Sequence, residues 1–303
     1  MPELPEVETI RRQLAPLVEG RRLERIEILD ERWSRPLTPQ ELSDALTGRV
    51  IERLGRRGKY LLWSFDGDVH LAQHLRMTGS VLLDPRPEPR HTRVRLQLGP
   101  RGDAGGSPGH EGGGEDAGLR MVIVDPRRFG TGELLLGDEA LEKFFAARLG
   151  LEPFDELFTV EHLRALTKGR RAPIKALLLD QRKIAGVGNI YADEALFRAG
   201  IHPLRPAGAL STRQLARLRE GLIEALSAGI DARGATIDDF RHVDGVRGSF
   251  QDQFLVHRRE GEPCGLCGGT VVKMVVAGRG TYVCEKCQAR PRPRRRSRAL
   301  SGG

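Results

Sequence analysis

The sequence predicts an α+β multidomain fold: an N-terminal β-sandwich flanked by helices, a helical domain, and a C-terminal four-cysteine hairpin. Three observations lead there. Short apolar runs separated by turn residues fill the first part of the chain. Helical periodicity replaces them after Gly137, and all four cysteines fall between Cys264 and Cys287. Many short strands with turn chemistry between them suit a sandwich or barrel, whereas a 3.6-residue apolar repeat suits packed helices.

The elements follow in order. Val7, Ile10, Leu14 and Leu17 recur at helical spacing, so Pro5 to Leu17 is expected to be an amphipathic helix. Strands are expected at Leu23 to Leu29, Val50 to Leu54, Tyr60 to Phe65, Val69 to Leu75, Ser80 to Leu83, Arg93 to Leu98 and Met121 to Val124. Arg93-Val94-Arg95-Leu96-Gln97-Leu98 alternates strictly, the pattern of a strand with one buried face. Gly99 to Gly118 is Gly-rich and aperiodic and reads as a disordered loop without a site of its own. Helices are expected at Leu141 to Leu149, Val160 to Leu166, Pro173 to Leu179, Asn189 to Arg198 and Thr212 to Leu226. A turn-containing segment from Ile237 to Phe250 leads to the cysteines, with a hairpin between Thr270 and Val283. The six arginines from Arg290 to Arg298 lie among prolines and bury nothing, as in a disordered basic tail. The expected divisions are 1–136 (with 99–118 as an insertion), 137–250, 251–289 and 290–303.

Composition narrows the class. A chain of 303 residues, 39% hydrophobic and 30% charged, can bury two or more cores. No apolar run approaches the ~20 residues that span a bilayer. The start is acidic where a secretory signal is basic and then apolar, so a cytoplasmic, non-secreted location is expected. A net charge of +8 favours a polyanionic partner, although arginine-rich chains reach such values without one.

Three local patterns carry chemistry. Pro2 is small enough that removal of the initiator Met is expected, which leaves a free secondary amine beside the Glu3 carboxylate. An α-amino group titrates near ~8, far below lysine, so much of it is nucleophilic at neutral pH. The same residues also suit an ordinary first helical turn, with prolines early and acids at the positive end. Second, Cys264-x-x-Cys267 and Cys284-x-x-Cys287 are sixteen residues apart, the spacing of a zinc ribbon. A redox pair would need only two of them, and a site filled by four thiolates is structural. Gly278-Arg279-Gly280 is expected at the hairpin tip. Third, Gly186-Val187-Gly188-Asn189 opens a helix whose N–H groups suit phosphate, with Lys168, Arg170, Arg171 and Lys175 adding positive charge upstream. An ordinary helix start capped by Asn189 is the plainer alternative.

Taken together, Pro2-Glu3-Leu4-Pro5-Glu6-Val7-Glu8, Gly58-Lys59-Tyr60-Leu61, His74-Leu75-Arg76-Met77-Thr78-Gly79, Asp125-Pro126-Arg127-Arg128-Phe129-Gly130, Gly186 to Glu194, Arg198 to Pro203 and the cysteine ribbon follow one order. In that order the chain resembles the formamidopyrimidine-DNA glycosylases, bifunctional base-excision repair enzymes, to about Gln288. The resemblance implies a helix–two-turns–helix domain, one structural Zn2+ on Cys264, Cys267, Cys284 and Cys287, and a monomer acting on double-stranded DNA with oxidised bases or abasic sites, with no membrane partner. It implies Pro2 as nucleophile at C1′, Glu3 as the acid that opens the sugar, Lys59 as a phosphate contact assisting proton transfer, and Arg279 as a further member of the catalytic set. Met77, Arg127 and Phe129 would fill the void left by the everted base, although taken singly Met77 and Phe129 could be core residues and Arg127 could pair with Asp125. His74, Asn189 and Arg279 would hold phosphates, with His91, Arg128 and Arg171 at further DNA-contact positions. The Asp244 to Phe250 loop matches a lesion-recognition loop.

Departures are the long 99–118 segment, His257 where the family often has Tyr, and the arginine tail. Rival readings are an endonuclease VIII type that prefers oxidised pyrimidines, a non-catalytic DNA-damage binder, and a zinc-ribbon regulator. The first shares Pro2-Glu3. The second must explain why Pro2, Glu3 and Lys59 are all present, and the third leaves the N-terminal half unexplained.

Overall fold

The computed structural model describes residues 2–101, 118–236, 243 and 245–291. Most of the insertion, much of the Ile237 to Phe250 segment and the tail beyond 291 lie outside them. The chain forms two compact units, one from Met1–Asp155, Asp180–Gly188 and Glu224–Gln253, the other from Glu156–Leu179, Asn189–Ile223 and Phe254–Gly303.

In chain order the first unit contains α1 (Leu4–Val18), β1 (Arg21–Ile28), α2 (Glu31–Ser34), α3 (Pro39–Leu46), β2 (Ile51–Arg57), β3 (Tyr60–Phe65), β4 (Val69–His74), β5 (Ser80–Leu83), β6 (Thr92–Arg101), β7 (Leu119–Val124), β8 (Thr131–Leu136) and α4 (Asp138–Ala146). Two antiparallel sheets result, ordered β1-β6-β7-β5 and β2-β3-β4-β8. Leu23, Ile26, Val94, Leu96 and Leu98 from the first meet Ile51, Leu54, Leu61, Trp63 and Leu71 from the second in one core. That is the expected sandwich. The alternation predicted for β6 holds, with Val94, Leu96 and Leu98 buried and the residues between them half-buried.

α1 adds Val7, Ile10, Leu14 and Val18 to the same core, all fully buried, while Leu17, expected on that stripe, is exposed and Val18 takes its place. Each contributes about 1.5–3 kcal/mol, which secures a helix of a length that is marginal alone. Glu8, on its other side, is held by Arg11, Arg12 and Arg56. Burial alone would raise its carboxyl, but those arginines bring it down to about 2.

Three elements were not expected. β8 pairs with β4, yet only Gly132 in it is buried, so it carries no apolar alternation. Its glycine is needed because a Cβ there would fall 2.3 Å from the Trp33 ring. α2 is a single turn capped by Asp30, and α3 is a short helix with a Thr38–Glu41 capping box.

The second unit holds α5 (Val160–Thr167), α6 (Ile174–Leu179), α7 (Asn189–Arg198), the first part of α8 (Thr212–Asp231), β9 (Val272–Val276) and β10 (Arg279–Val283). Its organiser is an acidic pair on α7. Asp193 accepts from Lys175 Nζ at 2.6 Å and lies 2.9 Å from His257 Nδ1, while Lys175 also donates to Thr281 Oγ1 at 2.7 Å. Glu194 accepts from the N–H groups of Leu255, Val256 and His257 and from Arg198. Lys175 is fully buried, so it is no part of the exposed positive surface that the sequence suggested. Stranding one member of such a pair costs ~3–5 kcal/mol, so Lys175 fixes α6, α7 and the hairpin root in one arrangement.

Candidate active site and DNA-contact surface

In the first unit Glu3 is the N-cap of α1, and both Pro2 and Glu3 are buried. Glu3 N donates to Glu6 Oε2 at 2.8 Å, and Leu4 N donates to Gly186 O at 3.1 Å. The Gly186/Gly188 pair makes room for this terminus: a Cβ on Gly188 would stand 2.2 Å from Glu3 Cδ, and one on Gly186 would stand 2.5 Å from Leu4 Cδ1. The glycines that the sequence places in a phosphate turn thus also make room for Glu3 and its helix.

Lys59 is the second residue of the Gly58–Lys59 turn between β2 and β3, and only 4% of it is exposed. Gly58 takes φ +59 there. Its N–H donates to Glu152 at 2.6 Å and its carbonyl accepts from Arg56 at 2.9 Å, while Arg56 and Glu152 are joined by two hydrogen bonds. Tyr60 pairs in register with His74, and their rings meet edge to face at 4.6 Å. Burial, then the charges of Arg76 and Lys59, push His74 down to about 3, so Lys59 and His74 share one electrostatic neighbourhood.

His74 Nδ1 accepts from Arg76 N at 2.9 Å, which leaves the hydrogen on Nε2. His74 is then a neutral donor at neutral pH. The unfolded imidazole takes up its proton below 6.5 and the native one only near 3, so native stability should fall as pH drops between them. The expected slope difference between wild type and His74→Gln approaches ~1.4 kcal/mol per pH unit, read by denaturant unfolding at pH 5.5 and pH 4.5. Equal slopes would show that His74 titrates normally.

His91, Arg127, Phe129 and Thr78, the neighbour of Met77, meet at Asp125, which the sequence offered only as an ion-pair partner for Arg127. Asp125, 1% exposed, accepts from Thr78 Oγ1 (2.6 Å), Arg127 N (3.2 Å), Phe129 N (2.8 Å) and Gly130 N (2.7 Å). Its own N–H donates to the His91 carbonyl at 3.0 Å. Met77, half-buried, sits in the turn closed by Gly79 N to Leu75 O. The Arg127 guanidinium lies 4.9 Å from the centroid of the Phe129 ring, which is 50% exposed. Arg128 is bidentate to Asp30, at 2.6 and 2.9 Å. The sequence offered Asp125 as an ion-pair partner for Arg127 and gave no sign of its backbone donors; Glu152 and Asp30 gave no signal.

In the second unit Asn189 opens α7 and donates to Gly280 O at 3.0 Å, which joins the helix start to the strand that carries Arg279. Arg279 is exposed and is not the hairpin tip: Ala277 (φ +51) and Gly278 (φ +71) form the turn, and Arg279 opens β10 opposite Val276. Arg171 is exposed on the wall of a cavity of about 350 Å³ lined also by Gly169, Arg170, Pro206 and Gly208.

The sulfurs of Cys264, Cys267, Cys284 and Cys287 all lie within 4.8 Å of one another, with Cys264–Cys287 at 3.9 Å and Cys267–Cys284 at 3.4 Å. Zn–S bonds of ~2.3 Å in a tetrahedron fit that spacing. Among the described residues this is the one cluster suited to a metal. Burial, then the neighbouring thiols, push Cys287 up to about 12, so four thiolates coexist here only around a cation.

A sandwich with a buried Pro-Glu terminus, a helical unit and a zinc hairpin defines the zinc-finger class of DNA glycosylases. Three family descriptions match: the formamidopyrimidine-DNA glycosylase N-terminal domain over residues 1–132, its H2TH domain over 149–241, and the zinc finger found in FPG and IleRS over 261–290. The chain belongs to the formamidopyrimidine-DNA glycosylase family. It is 44% identical over 295 residues to the Roseiflexus enzyme, covering 95% of this chain and all of the relative. The Thermus thermophilus MutM (FPG) structure is 42% identical with a TM-score of 0.81, covering 96% of this chain and 100% of that one. A Lactococcus lactis FPG mutant in complex with a Fapy-dG containing DNA is 34% identical with a TM-score of 0.84, covering 95% and 100%. No helix among the described residues is long and apolar enough to cross a membrane.

Proposed function

We propose that this chain removes oxidised purines, 8-oxoguanine and formamidopyrimidines, from duplex DNA and then cuts the abasic site by β,δ-elimination. The observation that carries the reading is the seating of the terminus, with Glu3 capped by Glu6 and cleared by Gly188. The Pro2 nitrogen attacks C1′, the C1′–base bond breaks with its electron pair leaving on the base, and the N–H proton that Pro2 then loses ends on the departing base. Glu3 protonates O4′ as the ring opens to an iminium. The iminium acidifies the C2′ proton, whose loss expels the 3′ phosphate. Loss of a C4′ proton then expels the 5′ phosphate, and water releases Pro2. Lys59 and His74 support the phosphate side, the first as a cation and the second as a neutral donor. Met77, Arg127 and Phe129 occupy the void, offsetting an unstacking cost of a few kcal/mol. Asn189, Arg279, His91, Arg128 and Arg171 contact the DNA backbone.

Zinc keeps the hairpin folded and takes no part in the chemistry. The working divisions are 1–136 for chemistry, 137–250 for the helical domain and 251–289 for the zinc finger. A cytoplasmic, nucleoid-associated location follows from a chromosomal substrate and the net charge of +8. Borohydride reduction on an abasic-site duplex should trap a covalent adduct at Pro2, identified by peptide mass. Failure to trap one would leave only a DNA-damage binder. A second substrate class has one specific support: the Lactococcus lactis protein has also been solved with oxidised-pyrimidine DNA. Excision of 8-oxoguanine and thymine glycol measured side by side separates the two, and faster release of the glycol would reassign the substrate.

A further inference from the structure

We infer that Asp125 is a positioning residue that sets Met77, Arg127 and Phe129 as one rigid insert before DNA arrives, an inference that rests on the glycosylase reading above. Two separate chain segments meet at its carboxylate. Oδ1 accepts from the Thr78 hydroxyl and Arg127 N, and Oδ2 accepts from Phe129 N and Gly130 N. Thr78 is the residue after Met77 and lies 47 positions from Asp125, so this hydrogen bond ties the Met77 turn to the Arg127–Phe129 loop.

The backbone around the insert needs such a hold. Arg76 and Arg128 both sit in the left-handed region, with φ +55 and +60, where non-glycine residues are strained. One lies just before Met77 and the other between Arg127 and Phe129. Gly130 lies close beneath the carboxylate: a Cβ there would press on Asp125 Oδ2 at 3.2 Å. The Arg127 guanidinium is already over the Phe129 ring, so finger and wedge are pre-stacked.

All four groups aimed at Asp125 are donors, and only a carboxylate can accept at both ends. An amide in its place sets its NH2 against backbone N–H donors whichever way it turns, Arg127 N on one side or Phe129 N and Gly130 N on the other; only the Thr78 hydroxyl, which already accepts from Arg127 N, can turn to accept it, so the loop is released. A free insert must be ordered on binding, and that cost falls on base eversion. It falls much less on a substrate whose base is already gone.

The test compares two reactions of the full-length protein: excision of 8-oxoguanine from an intact duplex, and nicking of a preformed abasic duplex. Asp125→Asn and the milder Thr78→Val should lower excision at least tenfold more than nicking, and Thr78→Ser should restore the ratio. Circular dichroism and melting establish that each variant is folded. Equal loss in both reactions, no loss in either, or failure of Thr78→Ser to restore the ratio would overturn the positioning role. If wild type itself traps no borohydride adduct, the glycosylase reading fails instead.

Discussion

An N-terminal extension that places Pro2 inside the chain should reduce strand nicking and borohydride trapping to background, because an amide nitrogen has no nucleophilic lone pair. Pro2→Gly is the finer version. It keeps a free α-amine but makes it primary, so the adduct must keep an N–H proton to stay cationic, whereas the proline iminium carries its charge with none. The pyrrolidine ring, which iminium formation uses without a further proton transfer, is lost. A fall of ~10²–10⁴-fold in nicking is expected, or about 1.4 kcal/mol of barrier for each tenfold. Gel assays on an abasic duplex, with peptide mass analysis of the reduced adduct, read both variants. Undiminished nicking by either would move the nucleophile to another amine, for which buried Lys59 is the first candidate.

Zinc removal should produce the second large effect. A two-stranded hairpin of the length of β9 and β10 is marginal by itself, whereas structural zinc contributes an apparent ~10–16 kcal/mol in zinc-finger peptides. Chelation or Cys284→Ser should therefore unfold the hairpin, release Arg279 from its register opposite Val276, and weaken binding to an abasic-site duplex at least ~10²-fold. Both tryptophans, Trp33 and Trp63, lie in the core of the first unit. Their fluorescence should stay native while fluorescence anisotropy reports the lost binding. Retained affinity after complete zinc release would show that the hairpin folds without metal.

What the sequence made legible was whatever depends on near neighbours. The α1 stripe as far as Leu14, the alternation of β6 and the two Cys-x-x-Cys turns could all be read from spacing, whereas Leu17 is exposed and Val18 is the buried residue. What escaped depends on partners far along the chain. β8 owes its pairing to β4 and its glycine to Trp33, neither of which leaves a local pattern. Lys175 looked like one more surface cation because Asp193 and Thr281 meet it only in the fold. Gly186 and Gly188 suggested a phosphate turn, although their neighbours are Leu4 and Glu3, more than 180 positions earlier. The candidate chemistry was legible as motifs. The carboxylates that hold it in place, Asp125, Glu152 and Asp30, were not, since an isolated Asp or Glu carries no mark of its distant donors.

The Arg128–Asp30 fork changes how this protein's grip on DNA should be counted. A guanidinium already matched by a carboxylate adds little further charge to a phosphate, so few counterions leave the duplex on its account. Arg56, Arg95 and Lys175 are neutralised internally in the same way. The salt dependence of association will accordingly be shallower than the arginine inventory suggests.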